Sequence, residues 1–340
     1  MMLLKKTALA AGTALATALL AACVQAAPLT VDPTQAYVNR DGTVAIVGND
    51  GLEDVIAQLN ALFTRQHPPI RFSLRMEGSS AGMPALTAGA TAFAPLTRDM
   101  WPGDQAAFRQ VFGYDATPVR IGYNGHGPRP PAKTPPAVYV HRDNPLAGMS
   151  MEQLGQVFTA GAPAGDIKLW SQLGMQADWA PRRIHAYGLR DDGGFATGLR
   201  HARFGQRLFA AKYEALATRE AVLRAVAADR YGIAVLGWVN AAPVSDQVRV
   251  LPLAAGPGAP YYGPDQASVR AGNYPLTMPV QLYVNRAPGK ALDPLVKAYL
   301  QLALSREGQA IIDAQHDSEE GYLPLSLQDL QAERKKVDAL

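Results

Sequence analysis

Residues 77–86 read EGSSAGMPAL, a glycine- and serine-rich turn set between two periodic segments. Upstream, Ile70, Phe72, Leu74 and Met76 alternate with Arg71, Ser73 and Arg75, the period of two expected of a half-buried strand. Downstream, MPALTAG starts a helix. A glycine-flanked turn from strand to helix serves two chemistries. Gly78-Ser79-Ser80-Ala81-Gly82 satisfies the G-x-S-x-G pattern that exposes a nucleophilic serine, here Ser80, in serine hydrolases. The same turn is also an anion cradle, because free N–H groups and the helix dipole at a helix start favour negative charge.

Working outward, TVAIVGND reads as a strand running into a turn, and Leu52, Val55, Ile56, Leu59, Leu62 and Phe63 recur at helical spacing. After EGSSAG come a strand over TAFAPLT and a helix over RDMWPGDQAAFRQVFG, so the order is β-α-β-α-β-α. Such alternation predicts an α/β fold with a largely parallel sheet covered by helices. Residues 125–136, GHGPRPPAKTPP, have no hydrophobic periodicity and read as an exposed loop. A second α/β set follows: AVYVHRDNP as strand, SMEQLGQVFTAG as helix, RRIHAYGL as strand, DDGGFATG as loop, LRHARFGQRLFAAKY and TREAVLRAVAAD as helices, and YGIAVLGWV as strand. YPLTMPVQLYVN is a further strand, and LDPLVKAYLQLALSREGQAIIDAQH a long helix before a polar tail.

The 340 residues, 48% hydrophobic, are enough for one large or two medium domains with proper cores. Lys5 and Lys6 precede an uncharged run, TALAAGTALATALLAA, which is the pattern of a secretory leader over residues 1–26. Cys23, the one cysteine, directly follows Leu20-Ala21-Ala22 and resembles the lipobox of bacterial lipoproteins, whose cysteine is lipidated; cleavage after Val24-Gln25-Ala26 by the ordinary signal peptidase is the alternative. Either way the mature chain is left without a disulfide framework. The formal charge of +3 loses two lysines with the leader, so neither nucleic acid nor an anionic membrane surface is an expected partner. Membrane attachment is expected only through an N-terminal lipid, outside the cytoplasm.

The hydrolase reading of Ser80 needs a histidine and an acid downstream. His126, His141, His185, His201 and His316 are available, and only His316-Asp317 suits the usual order. No metal site is expected, since H-x-x-x-H and cysteine clusters are missing and Asp191-Asp192 lacks companions at ligand spacing. The anion reading asks instead for several loops at strand ends. Three appear: GNDG at 48–51, EGSSAG at 77–82 and GLRDDGGFATG at 188–198. Ser79, Ser80 and Thr197 can donate hydroxyl hydrogens, and Arg98 or Arg190 can supply a charged fork. Each residue also has a purely structural role open to it: Asn49 and Asp50 as helix caps, Ser79 and Ser80 as turn residues, Arg190 with Asp192 as a surface pair, and Phe195 as a packing residue.

The ordered set GNDGLEDVIAQL, EGSSAGMPALTAG, APLTRDM, VYVHRDNPLAGMSMEQLGQVFTAG, LWSQLG, IHAYGLRDD, YGIAVLGWV, YPLTMPVQLYVN, LSREGQAII and GYLPL resembles the phosphate-binding proteins of phosphate ABC transporters, over almost all the mature chain. The resemblance implies a periplasmic binding protein of the two-domain hinged type II-like architecture, without catalysis and without cofactor. It also implies phosphate or a related oxyanion as ligand, an ABC permease as partner, a monomer, and a role in uptake or sensing. Domain 1 is expected to comprise 35–141 and 275–328, domain 2 145–272, and 329–340 a polar tail, with crossings near Arg142 to Asn144 and Asn273 to Pro275.

By the same resemblance Ser79 binds the anion, Asn49 and Asp50 belong to the first loop, Arg190 clamps the ligand, and Asp192 braces that arginine. Thr97-Arg98 stands where many relatives have Ser-Arg. Gly194-Phe195-Ala196 stands where relatives read Ser-Gly-Thr, so two hydroxyl donors are absent and Thr197 is the one nearby replacement. Asp50 can accept the proton of hydrogen phosphate, which sulfate lacks. A scaffold that kept the fold and lost the ligand, acting as an envelope interaction protein, is the alternative those departures motivate.

Overall fold

The computed structural model describes residues 29–192 and 194–340, so the leader, Cys23 and Gly193 lie outside the described residues. The first stretch runs β1 (Val44–Gly48), α1 (Glu53–Gln66), β2 (Phe72–Met76), α2 (Gly82–Thr87), β3 (Ala94–Leu96), α3 (Pro102–Phe112) and β4 (Thr117–Tyr123). The middle comprises β5 (Ala137–His141), β6 (Met149–Ser150), α4 (Met151–Phe158), β7 (His185–Leu189), α5 (Phe195–Arg203), β8 (Glu214–Leu216), α6 (Arg219–Ala228), β9 (Gly232–Leu236), β10 (Val248–Leu251) and β11 (Leu253–Ala254). The chain closes with α7 (Gln266–Arg270), β12 (Pro279–Val284), α8 (Pro294–Ala303), α9 (Arg306–Asp313), β13 (Leu323–Pro324) and α10 (Leu327–Asp338).

Two sheets organise these elements. In the first, the strand order is β13-β4-β12-β3, with the parallel pair β1-β2 set beside β3. Backbone bonds from Ala92 N–H to the Ala45 oxygen and from Asn49 N–H to the Pro95 oxygen, both 3.0 Å, join the pair to β3. The second sheet has the order β10-β5-β9-β7-β8. Both sheets are mixed, where a largely parallel sheet was expected. β12 returns antiparallel to β3 and β4, and β5 lies antiparallel between β9 and β10. These strands arrive by long connections from elsewhere in the chain, so the βαβ crossover that forces parallel pairing does not constrain them.

The helical stripe of α1 buries Val55, Ile56, Leu59, Leu62 and Phe63 against the first sheet. Tyr299 of α8 seals that core: its ring lies 4.5 Å from Phe93 and 5.4 Å from Phe63, and its hydroxyl donates to Asn60 Oδ1 at 2.8 Å. Each such side chain contributes about 1.5–3 kcal/mol by leaving water. The C-terminal part of the chain therefore completes the first core.

Several expectations are corrected. β5 is a central strand of the second sheet, so the first crossing is not near Arg142 but between Tyr123 and Ala137. The second crossing is also earlier than Asn273: Tyr262 still pairs with Leu253 of the second unit, and Gly127 N–H donates to the Pro264 oxygen at 2.8 Å. The two crossings thus run side by side. Residues 125–136 are consequently an exposed loop only in the middle, at Pro128, Pro130 and Pro131, with His126 and Thr134 buried towards its two ends. The long C-terminal helix is two helices, because Ser305 caps α9 by accepting from Gly308 N–H at 3.1 Å. α5 begins inside the expected loop, at Phe195, and stops at Arg203, where Gly205 and Gln206 take left-handed φ values of 60° and 62°. The polar tail is the packed helix α10, with Val337 fully buried.

Candidate functional site

Between the two sheets lies a cleft of about 810 Å³. Its first wall is the ends of β1, β2 and β3 with the turns that follow them. Gly78 adopts φ +103°, open to glycine at little cost, and a side chain on Gly82 would press on Leu96, Ala94 and Gly48. These two demands account for the G-x-S-x-G spacing without a nucleophile. The turn places Ser79 on the cleft wall. Asn49 Nδ2 donates to Ser79 Oγ at 2.6 Å, which leaves the serine hydrogen free to donate to a ligand. Asn49 makes no side-chain cap bond, so the capping role is not the one it plays. α2 has six residues, too short for much dipole, and the donors here are chiefly side chains.

Arg98 is 7% exposed and braces this wall. Its guanidinium donates to the Ser79 oxygen at 2.6 Å, the Asp99 oxygen at 3.0 Å and Asp104 Oδ2 at 3.1 Å, and stacks 3.5 Å above Trp101. Burial lowers its pKa, opposed by Asp104. Thr97 sits alongside, its carbonyl accepting from Asn124 Nδ2 at 2.9 Å. Asp50 is exposed at the cleft mouth, and Lys133 lines the cleft with Glu320, 2.5 Å from it. Desolvation works against the Lys133 charge, and the hydrogen bonds and charges of Glu320 and Glu319 together outweigh it, so the Lys133 pKa rises.

Of the ten ligand residues expected, Asn49, Asp50, Ser79, Thr97, Arg98 and Gly194 line the cleft, and Ser80, Arg190, Asp192 and Thr197 do not. Ser80 is exposed and makes no side-chain hydrogen bond among the described residues, with no histidine beside it. Arg190 and Asp192 are both exposed and do not pair with each other. The bracing acid is Asp191, which accepts from Thr197 Oγ1 at 2.6 Å and holds Arg200 Nε at 2.9 Å, so it fastens α5 and not Arg190.

The second wall is where sequence reasoning missed most. Phe195 and Trp238 meet edge to face with centroids 5.7 Å apart, and Trp238 Nε1 donates to Asn124 Oδ1 at 3.3 Å. Arg203 and Arg219 also line the cleft, donating to the Thr277 and Gly237 oxygens at 3.3 and 2.8 Å. Trp238, with φ +54°, follows β9 in LGWVN, and an indole at a strand end facing a glycine-rich loop was the available signal. Among the described residues no cluster of three or more His, Cys, Asp or Glu is placed to hold a metal ion, and no helix is long and apolar enough to cross a membrane.

Two mixed α/β units around a cleft with a polar first wall and a partly aromatic second wall define a bilobal binding protein. A family model described as a PBP superfamily domain matches residues 33–307, and the chain belongs to that superfamily. It is 29% identical over 287 residues to the phosphate-binding protein PstS of Pseudomonas aeruginosa, in each of two strains, covering 84% of this chain and 83% of the relative. Similar folds include PstS from Borrelia burgdorferi, with TM-score 0.56, 14% identity and coverage of 84% of this chain and 99% of that one. An ABC-type phosphate transport receptor from Vibrio cholerae gives TM-score 0.53, 15% identity and coverage of 83% and 99%.

Proposed function

We propose that the protein is a non-catalytic binding protein that captures a small oxyanion of the phosphate class outside the cytoplasm, for ABC-type uptake or sensing. The observation that carries this reading is the Asn49–Ser79 pair on the cleft wall, in a chain related to phosphate-binding proteins and at the turn that the resemblance assigns to the anion. The leader-like N-terminus supports the location, and a permease partner follows from the relatives alone. The first unit comprises residues 29–123 and 266–340, and the second 137–262, hinged on the paired crossings. Closure about that hinge would bring the second wall onto an anion already held by Ser79. Calorimetry of the mature chain with phosphate, sulfate and organic phosphates tests the reading. Binding of at least one is expected, and no heat from any of them up to about millimolar, the weak limit of specific affinity, would overturn it.

The placement of Arg190 and Thr197 outside the cleft favours a second reading, a scaffold that has lost its ligand. The double change Gly194→Ser with Ala196→Thr separates the two. Gly194 has room for a side chain, since a Cβ there would meet only Asp192 Oδ1, at 3.4 Å. A degraded site should regain phosphate binding in that variant, and an intact one should change little.

A further inference from the structure

We propose that the ligand of this cleft is a monosubstituted phosphoryl anion, a phosphate monoester or a phosphonate, whose organic group lies on the Phe195–Trp238 wall. The inference rests on the oxyanion reading above and adds the ligand's other half. A free phosphate has oxygen at all four corners, and it needs donors on every side. The first wall supplies them through Ser79, with Thr97 beside it. Where α5 begins, the second wall offers no side-chain hydroxyl. At the start of α5, Gly194, Phe195 and Ala196 carry no hydroxyl, and Thr197 is turned to Asp191. An anion oxygen facing the Phe195–Trp238 part of this wall therefore meets two aromatic rings, and a buried charged oxygen left without donors is costly. Carbon, or an ester oxygen bearing carbon, fits there without that penalty, and aromatic rings favour a flat apolar group.

The size of the cleft agrees. Cavities of about 300–1,000 Å³ hold drug-sized ligands, and this one measures about 810 Å³. Hinge closure does not simply remove that space, because the walls already touch on one side: a Cβ on Gly198 of α5 would lie 3.1 Å from Trp101 Nε1 of the first unit. Arg203 and Arg219 are each tied to a main-chain carbonyl, and with Lys133 and Arg98 they outnumber the three lining carboxylates, so the cavity suits an anion.

Titration of the mature chain with inorganic phosphate and with phenyl phosphate, followed by calorimetry and tryptophan fluorescence, tests this. Phenyl phosphate is expected to bind about ten-fold more tightly or better, the effect of one aromatic contact. In Phe195→Ala the preference for phenyl phosphate over inorganic phosphate should fall about ten-fold. The wild-type comparison stands even if the variant fails to fold. Equal or tighter binding of inorganic phosphate would overturn the inference and leave the oxyanion reading intact, whereas failure of both anions to bind would overturn both.

Discussion

At the scale of single residues, the G-x-S-x-G turn separates two neighbouring serines. Ser79 lines the cleft and accepts from Asn49, and Ser80 is exposed without a side-chain partner among the described residues. Ser79→Ala should therefore remove one hydrogen bond to a charged ligand, about 1.5–3 kcal/mol, which is a loss of roughly ten-fold to a hundred-fold in affinity. Ser80→Ala should bind as wild type. Calorimetry on the two variants side by side checks the pair, and a larger loss at Ser80 would make that hydroxyl, and not Ser79, the ligand contact. Much of this wall was legible in the sequence, because the turn, its flanking strand and its glycines are contiguous. Arg98 was legible as a cation but not as a brace: its partners Asp104 and Trp101 are near in sequence, yet only the turn of α3 aims them at it.

At the scale of elements, strong periodicity was informative and endings were not. α1 and β2 fall where their apolar spacing put them, and the break between α8 and α9 was hidden because Ser305 interrupts an otherwise continuous apolar pattern. α10 was misread for a related reason. LQDLQAERKKVD is mostly charged, and its packing depends on few contacts. Arg334 donates through Nε and a terminal nitrogen to the Leu304 oxygen at 2.8 and 2.6 Å, closing the end of α8, and Asp329 and the buried Glu333 hold Arg120 of β4 at 3.1 and 3.6 Å. Val337 is fully buried beneath them. Val337→Ala should cost about 1–3 kcal/mol in urea unfolding with an unchanged m value. A detachable tail would show almost no change.

At the scale of the whole molecule, the arrangement depends on pairs of residues far apart in sequence, and these no local pattern reveals. The second wall needs Phe195 beside Trp238 and Gly198 against Trp101, and the paired crossings need Gly127 beside Pro264. His126 sits within the first crossing, 7% exposed, with Nε2 2.9 Å from the His316 oxygen. Burial lowers its pKa from the usual 6.5, helped by the charges of Arg129 and His316, and opposed by the His316 carbonyl and Asp317. A histidine with a depressed folded pKa binds protons more readily when unfolded, so its neutral form stabilises the fold at pH above 6.5. That contribution diminishes as pH falls below the unfolded value and is lost once pH passes the folded one. The urea midpoint of wild type should therefore fall between about pH 7 and pH 5, across the ordinary histidine range, and fall less in His126→Asn. Equal slopes in the two proteins would show that the crossing does not exclude the charged imidazole, and that His126 is not a group that makes the fold sensitive to acid.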